Sequence, residues 1–366
     1  MNDQGILIVG GYGVVGWRIA VELAADYPDQ VTIAGRDGAK AAEAAAAIGY
    51  GARGRQIDTS VASSIATALE GVATVISCVD LPDRALLWAA IERGLRYTDI
   101  TPRLTELGRG AAYEKVDRTA RSSGARIVLG TGIAPGIANV MARALSDSLG
   151  CADKIETALL LPAGDSGGPA LFGYFLQELA MSYKILVRGV ERPARAFSAP
   201  RLIEFPPPAG ARLAYLFPFS DQVLYPRTLG AKTAVTRLAV DPAWLGRLLA
   251  VMVSAGASRL MAIEWIRNAM MSARRGQNRP SAKEAWFELR VDVRCGNRLK
   301  HATLVGQAQA DATALAAAET ARLLIEGNVG QPGAWMPEQV VDPAPFFSRL
   351  ASRGLRVEFS SDSLSV

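Results

Sequence analysis

The chain has 366 residues, enough for two domains; half are hydrophobic, a fifth are charged, and the formal net charge is +5. The charges are interspersed, so no nucleic-acid partner is indicated. The most membrane-like stretch, Leu248 to Ile266, is interrupted by Arg259 and Glu264 and so offers no span.

The first element in chain order is a short buried strand, Gly5-Ile6-Leu7-Ile8-Val9-Gly10, and a helix follows from Trp17. Between them Gly11-Tyr12-Gly13-Val14-Val15-Gly16 fits G-x-G-x-x-G, while Gly10, Gly13 and Gly16 also fit the related G-x-x-G-x-x-G spacing. At a strand–helix junction such a run predicts a dinucleotide site. Its glycines allow a tight turn, close approach of backbone to pyrophosphate, and close packing of helix on strand. The helix N-terminus then offers N–H groups to the anion.

The second strand, Val31 to Arg36, ends twenty residues past Gly16, where an NAD site places a carboxylate for the ribose 2′-OH. Arg36 can instead pair with a 2′-phosphate, and Lys40 adds a second cation one turn on. NADP is therefore expected, with NAD left open by Asp37. Asp58, past the third strand (Ala52 to Ile57), either bonds the adenine amino group or caps the next helix.

Strands at Ala73–Val79, Arg96–Ile100 and Ala125–Leu129 alternate with helices at Arg84–Arg93 and Glu106–Ser122, the pattern of a doubly wound parallel sheet. Beyond Gly130 the pattern changes to helices at Gly136–Leu149, Phe172–Val187 and Ala243–Ala273, with a hairpin around Cys295-Gly296-Asn297. The fold expected is α/β: a Rossmann-type domain over 1–132, to which 310–350 returns, and a mixed α/β substrate and dimerisation domain over 133–309. The apolar run Leu248 to Met252 favours a homodimer. Three cysteines without C-x-x-C, and a single histidine, His301, argue against a disulfide framework or a metal site and suit a reducing cytoplasm.

Several of these stretches together resemble one family. With the glycine loop they are Val75-Ile76-Ser77-Cys78-Val79, Gly94-Leu95-Arg96-Tyr97-Thr98-Asp99, Gly132-Ile133-Ala134-Pro135-Gly136-Ile137-Ala138-Asn139 and Gly333-Ala334-Trp335-Met336-Pro337-Glu338-Gln339. They are similar to the saccharopine dehydrogenase-like oxidoreductases. The resemblance implies hydride transfer between a nicotinamide and a C–N bond, with Ser77, Cys78 and Val79 on the nicotinamide side. It also implies that Asp99 lies at the strand-end crevice and that Pro135, Gly136 and Asn139 start a helix aimed at the active site. It does not carry over a substrate.

Asp99 is the first candidate to protonate an imine nitrogen or stabilise an iminium, with a turn-capping role as the plain alternative. Tyr97 shares its face of the strand, and Asn139 can donate to substrate or to a carboxamide. Arg103, and Lys184 with Arg188 one helical turn apart, are candidate clamps for an acidic small-molecule substrate. The basic loop Arg274 to Arg279 is a further anion contact or a solvated turn. Cys78 is expected to be inert. Two other functions stay open: reduction of an activated C=C or C=O, and a non-catalytic NADP-binding sensor.

Overall fold

Strand β1 (Gly5–Val9) is a central strand of a parallel sheet, and its Leu7, Ile8 and Val9 are no more than 1% exposed. An apolar run buried on both faces is what a parallel sheet covered by helices requires. The computed structural model describes residues 4–79, 83–101, 111–163, 169–264, 268, 272, 286–360 and 363–364. It divides into two units, Met1–Ile137 with Ala310–Asp342, and Ala138–Gln309 with Pro343–Val366.

In the first unit β1 is followed by α1 (Val14–Ala24), β2 (Val31–Gly35), α2 (Gly38–Ile48), β3 (Arg53–Gln56), α3 (Ala62–Ala68), β4 (Val72–Ser77), α4 (Ala85–Glu92), β5 (Arg96–Asp99), α5 (Ala111–Ser123) and β6 (Arg126–Val128). The strands lie in the order β3-β2-β1-β4-β5-β6, all parallel, with Gly333–Trp335 added beyond β6. The winding reverses between β1 and β4, so a crevice is expected where their C-terminal ends diverge. Ile19 and Leu23 of α1, Ala41 and Ala45 of α2, and Ala314, Ala317, Ala318 and Ala321 of the helix Gln309–Ile325 pack into one core with Ile6, Ile8 and Ile33. The alanine face brings that last helix close to α1. Buried Arg322 then pairs with Asp26 at 2.7 Å and with Glu319, so its charge is compensated. Gly333–Trp335 is an edge strand beyond β6, where the Trp335 carbonyl accepts from Leu129 N–H at 3.0 Å.

The second unit contains α6 (Ile137–Leu149), β7 (Lys154–Pro162), α7 (Pro169–Ala180), β8 (Ser182–Val187), β9 (Val190–Arg195), β10 (Ser198–Glu204), β11 (Ala211–Leu216), α8 (Asp221–Thr228), β12 (Thr233–Asp241), α9 (Ala243–Ser254), β13 (Trp286–Cys295) and β14 (Arg298–Gln307). Its ten-stranded mixed sheet runs β10-β11-β12-β7-β13-β14 and then Val357–Phe359, with β8, β9 and Ser363–Leu364 off this path. Among the described strands of this second sheet only β7 and β12 pair in parallel.

Three expectations are corrected in this unit. The stretch Phe172 to Val187 is not one helix: α7 ends at Ala180 and β8 begins at Ser182, pairing with β9. The long helix from Ala243 stops at Ser254, where Gly256 turns into the left-handed region at φ 78° and a 3-10 turn, Ala257–Ala262, follows. Cys151 and Cys295 are also not free thiols. The β13–β14 turn brings Cys295 to Cys151 with 5.4 Å between Cα atoms, and they form a disulfide. On α9, Trp244, Leu248 and Val251 are exposed on one face. No helix among the described residues is long and apolar enough to cross a membrane.

Candidate cofactor and active site

The glycine loop closes β1 onto α1 through main-chain geometry. Gly10 is left-handed at φ 79°, and a side chain there would sit 2.9 Å from Val79 Cγ1. Gly13 N–H donates to Gly10 O at 2.9 Å, and a Cβ on Gly16 would lie 2.8 Å from Gly11 Cα. The tight turn thus falls on Gly10, which selects the Gly10-Gly13-Gly16 spacing. A Cβ on Gly11 would also meet Ile33 Cγ2 at 2.7 Å. Gly13 is the N-cap of α1, with no capping side chain and no acid in the first turn. The N–H groups opening at Val14 and Val15 therefore suit an anion, and the loop fits a dinucleotide pyrophosphate.

Tyr12 leaves the loop toward β2. Its ring covers Gly35, where a Cβ would lie 2.8 Å from the hydroxyl oxygen, and that oxygen accepts from Asp37 N–H at 3.2 Å. The Asp37 carboxylate is turned the other way. It caps α2 by accepting Lys40 N–H at 3.1 Å, with Lys40 Nζ 3.6 Å away, and the Lys40 N–H holds its carboxyl below the usual range. Arg36 is exposed at the strand end. Asp58 builds the β3–α3 turn by accepting Ser60 Oγ at 2.6 Å and Ser60 N–H at 3.0 Å, and these bonds, together with the nearby Arg36 cation, lower its carboxyl. The N-cap of α3 is Val61, so Asp58 is a turn residue and not the cap itself.

A small cavity of about 10 Å³, roughly the room of one water, lies at the ends of β4 and β5, lined by Ser77, Val79, Arg84, Leu87, Tyr97, Asp99 and Thr101. Asp99, 3% exposed, accepts Gly130 N–H at 2.9 Å on Oδ1 and the Tyr97 hydroxyl at 3.4 Å on Oδ2. Burial pushes its carboxyl up to about 6, against the Gly130 N–H and the Arg84 cation, which pull it down. Tyr97 is raised well above the usual phenol range by burial and then by the Asp99 charge. Burial, reinforced by Asp99, holds the Cys78 thiol at about 12, so it stays protonated and inert. Ser77 Oγ donates to Val79 O at 3.3 Å, which fixes the end of β4. The segment that follows β6 is tied to Asp99 as well: Thr131 N–H and Oγ both donate to its carbonyl, at 2.8 and 2.9 Å.

The sequence reading missed Arg84. It occupies the N-cap of α4 in a left-handed conformation, φ 53° and ψ 29°. A signal was present: a cation at a helix N-terminus opposes the helix dipole, and an Arg is not a preferred cap. Of the other candidates, Gly136 has φ 129°, and a side chain there would collide with Gly132. It shapes the turn with Pro135 before α6, on which Asn139 is fully buried. Lys184 and Arg188 do not form a helical clamp. Lys184 lies on β8, exposed and paired with Glu191 at 2.6 Å, and Arg188 sits in the β8–β9 turn at φ 53°. Arg103 and the basic loop at 274–279 lie outside the described residues.

The first unit has the architecture of a dinucleotide-binding α/β domain, and the second is a mixed-sheet unit. Residues 6–128 match the family model described as saccharopine dehydrogenase NADP binding domain. Over the whole chain the fold is that of apo saccharopine dehydrogenase (L-Glu forming) from Saccharomyces cerevisiae, at 15% identity and a TM-score of 0.68, covering 98% of this chain and 100% of that one. Residues 6–128 are therefore an NADP-binding domain of the saccharopine dehydrogenase type, and the rest of the chain shares that enzyme's fold. GenD2 from gentamicin A biosynthesis, in complex with NAD, aligns over 98% of this chain and 96% of its own at 13% identity, but with a TM-score of only 0.45. Citrobacter sp. triphenylmethane reductase with NADP(H) aligns over 34% of this chain and 48% of its own, at 19% identity and a TM-score of 0.27. Neither is close enough in shape to argue from. No curated protein matches in sequence.

Proposed function

We propose that the chain is an NADP-dependent enzyme that transfers hydride to or from a carbon bonded to nitrogen, in an imine or secondary amine. The observation that carries this reading is Asp99, a buried carboxyl with a pKa of about 6 in a cavity at the strand ends. Such a group exchanges its proton close to neutral pH: its acid form can deliver a proton to nitrogen, and its anion stabilises an iminium. Gly130 N–H and Tyr97 Oη hold the carboxyl in place, so little reorganisation is needed when charge moves. The nicotinamide, when bound, supplies or accepts the hydride. The glycine loop and α1 N-terminus hold the pyrophosphate, and Arg36 pairs with the 2′-phosphate. Asp37 is already committed to capping α2, which supports NADP over NAD.

Stopped-flow traces of NADPH oxidation against a panel of amine–carbonyl pairs test the reading. Oxidation with at least one pair, and transfer of label from deuterated NADPH to a carbon bonded to nitrogen, is the expected result. Label on a carbon not bonded to nitrogen would assign reduction of C=C or C=O. Tight NADPH binding without oxidation by any pair would leave only a binding role.

A further inference from the structure

A second polar cavity, of about 200 Å³, lies on the ten-stranded sheet of the second unit, with β7, β10 and β13 supplying most of its lining. At its floor is Glu156, only 2% exposed. Arg237 Nε reaches Glu156 Oε1 at 2.6 Å; Lys154 Nζ reaches Oε2 at 2.9 Å, and Arg201 binds the same oxygen. These cations keep the carboxylate ionised down to about pH 2. Arg290 grips Asp292 with two nitrogens at 2.8 to 3.1 Å and donates to Glu204 O at 2.7 Å, so that pair is internally neutral.

Three cations on one carboxylate exceed what its charge requires. Arg237, with a side chain 12% exposed, is the inner partner and suffices to neutralise Glu156. Arg201 and Lys154 keep 51% and 36% of their side chains exposed at the cavity. Held on one oxygen they repel each other, a cost that is recovered when further negative charge shares the site. Arg237, Arg201 and Lys154 bring three positive charges to the single carboxylate of Glu156, a local surplus of two.

We propose that this cavity is a binding site for a small dianion, a phosphate or a short dicarboxylate, seated on Arg201 and Lys154 beside Glu156. The guanidinium of Arg201 suits two oxygens at once, and Lys154 acts as a point charge next to it. The site does not depend on the proposed hydride chemistry.

Calorimetric titration of the full chain with inorganic phosphate and, separately, with succinate tests it, with sodium chloride as the ionic-strength control. A saturable site, one per chain, for either anion is expected; phosphate alone would mark a tetrahedral oxyanion site and succinate alone a dicarboxylate site. Arg201→Ala should weaken binding about tenfold or more, with Arg201→Lys intermediate. Glu156→Gln removes a competing charge and should tighten binding severalfold, whereas a purely structural ion cluster predicts no gain. If that variant fails to fold, as a melting curve would show, the exposed Arg201 pair of variants still decides. No saturable heat with either anion, or equal binding by wild type, Arg201→Ala and Lys154→Ala, overturns the proposal.

Discussion

Asp99 and Glu156 are both buried carboxylates, 3% and 2% exposed, one in each unit, yet their acidities differ by several orders of magnitude. Asp99 is solvated by a backbone N–H and a phenol, with a cation only nearby; burial dominates and it stays protonatable near pH 6. Glu156 is solvated by three cations, which overcome the same burial and hold it near 2. What burial does to a carboxylate is decided by the charge of the groups that replace water. The first arrangement suits proton transfer, the second suits holding charge in place.

The comparison is most exposed to failure at Asp99. Asp99→Asn should lower reductive turnover by about 10²- to 10⁴-fold while leaving NADPH affinity within a small factor. As a donor, Asp99 should make wild-type reductive turnover fall as pH rises through about 6, and the variant should lack that limb. The folded carboxyl lies above its unfolded value of 3.8, so its contribution to stability is present at low pH and lost as pH rises through about 6. Asp99→Asn should accordingly flatten the stability profile over that window. A variant that keeps full turnover would remove Asp99 from the chemistry.

Glu156 should behave in the opposite sense. Its folded value of about 2 lies below the unfolded 4.5, so the stability it contributes is present above 4.5 and lost as pH falls toward 2. Glu156→Ala strands Arg237, Arg201 and Lys154 together and should cost about 3 kcal/mol in urea unfolding at pH 7. A loss of only a few tenths would mean that water, not Glu156, solvates these cations. A covalent constraint acts on the same unit. Reducing Cys151–Cys295 releases a loop spanning 144 residues and should cost about 2–4 kcal/mol, read as a lower melting temperature with a dithiol present.

The two units also differ in how far the sequence discloses them. In the first, function is built on main chain: Gly10 and Gly16 are glycine because a Cβ has no room, and Asp99 ends a strand whose neighbours are set by right-handed crossovers. Such constraints act over few residues and leave a spacing to read. In the second unit the pairings are long-range. Nothing local at Met181-Ser182 marks the passage from α7 into β8, since neither residue is a Gly or Pro, and the periodicity carries on as if helical. Read on its own, that stretch places Lys184 and Arg188 one turn apart on a helix, whereas they lie on β8 and in the turn after it. Cys151 and Cys295 meet only because β13 pairs with β7. Glu156 left no trace at all, because two of its three cations, Arg201 on β10 and Arg237 on β12, come from strands distant in sequence.

The smallest expected effect separates two adjacent residues in the first unit. In the proposed NADP site, Arg36 and Asp37 are the two candidates for reading the 2′ substituent of the adenosine ribose. Asp37 is committed elsewhere: its carboxylate caps α2, and its N–H donates to Tyr12 Oη, which fixes the strand end on which Arg36 is carried. Arg36→Ala should weaken NADPH about 10- to 100-fold, the worth of one charge-assisted pair, and leave NADH unchanged. Asp37→Ala should leave the NADPH preference intact and lower the melting temperature by only about 2–4 °C, the loss of one helix cap. Tyr12→Phe, which removes the acceptor of the Asp37 N–H but keeps the ring over Gly35, should fall between them in its effect on NADPH. If Asp37→Ala instead abolished nucleotide discrimination, the carboxylate would leave the cap to meet the ribose, and the site would be built for a 2′-hydroxyl.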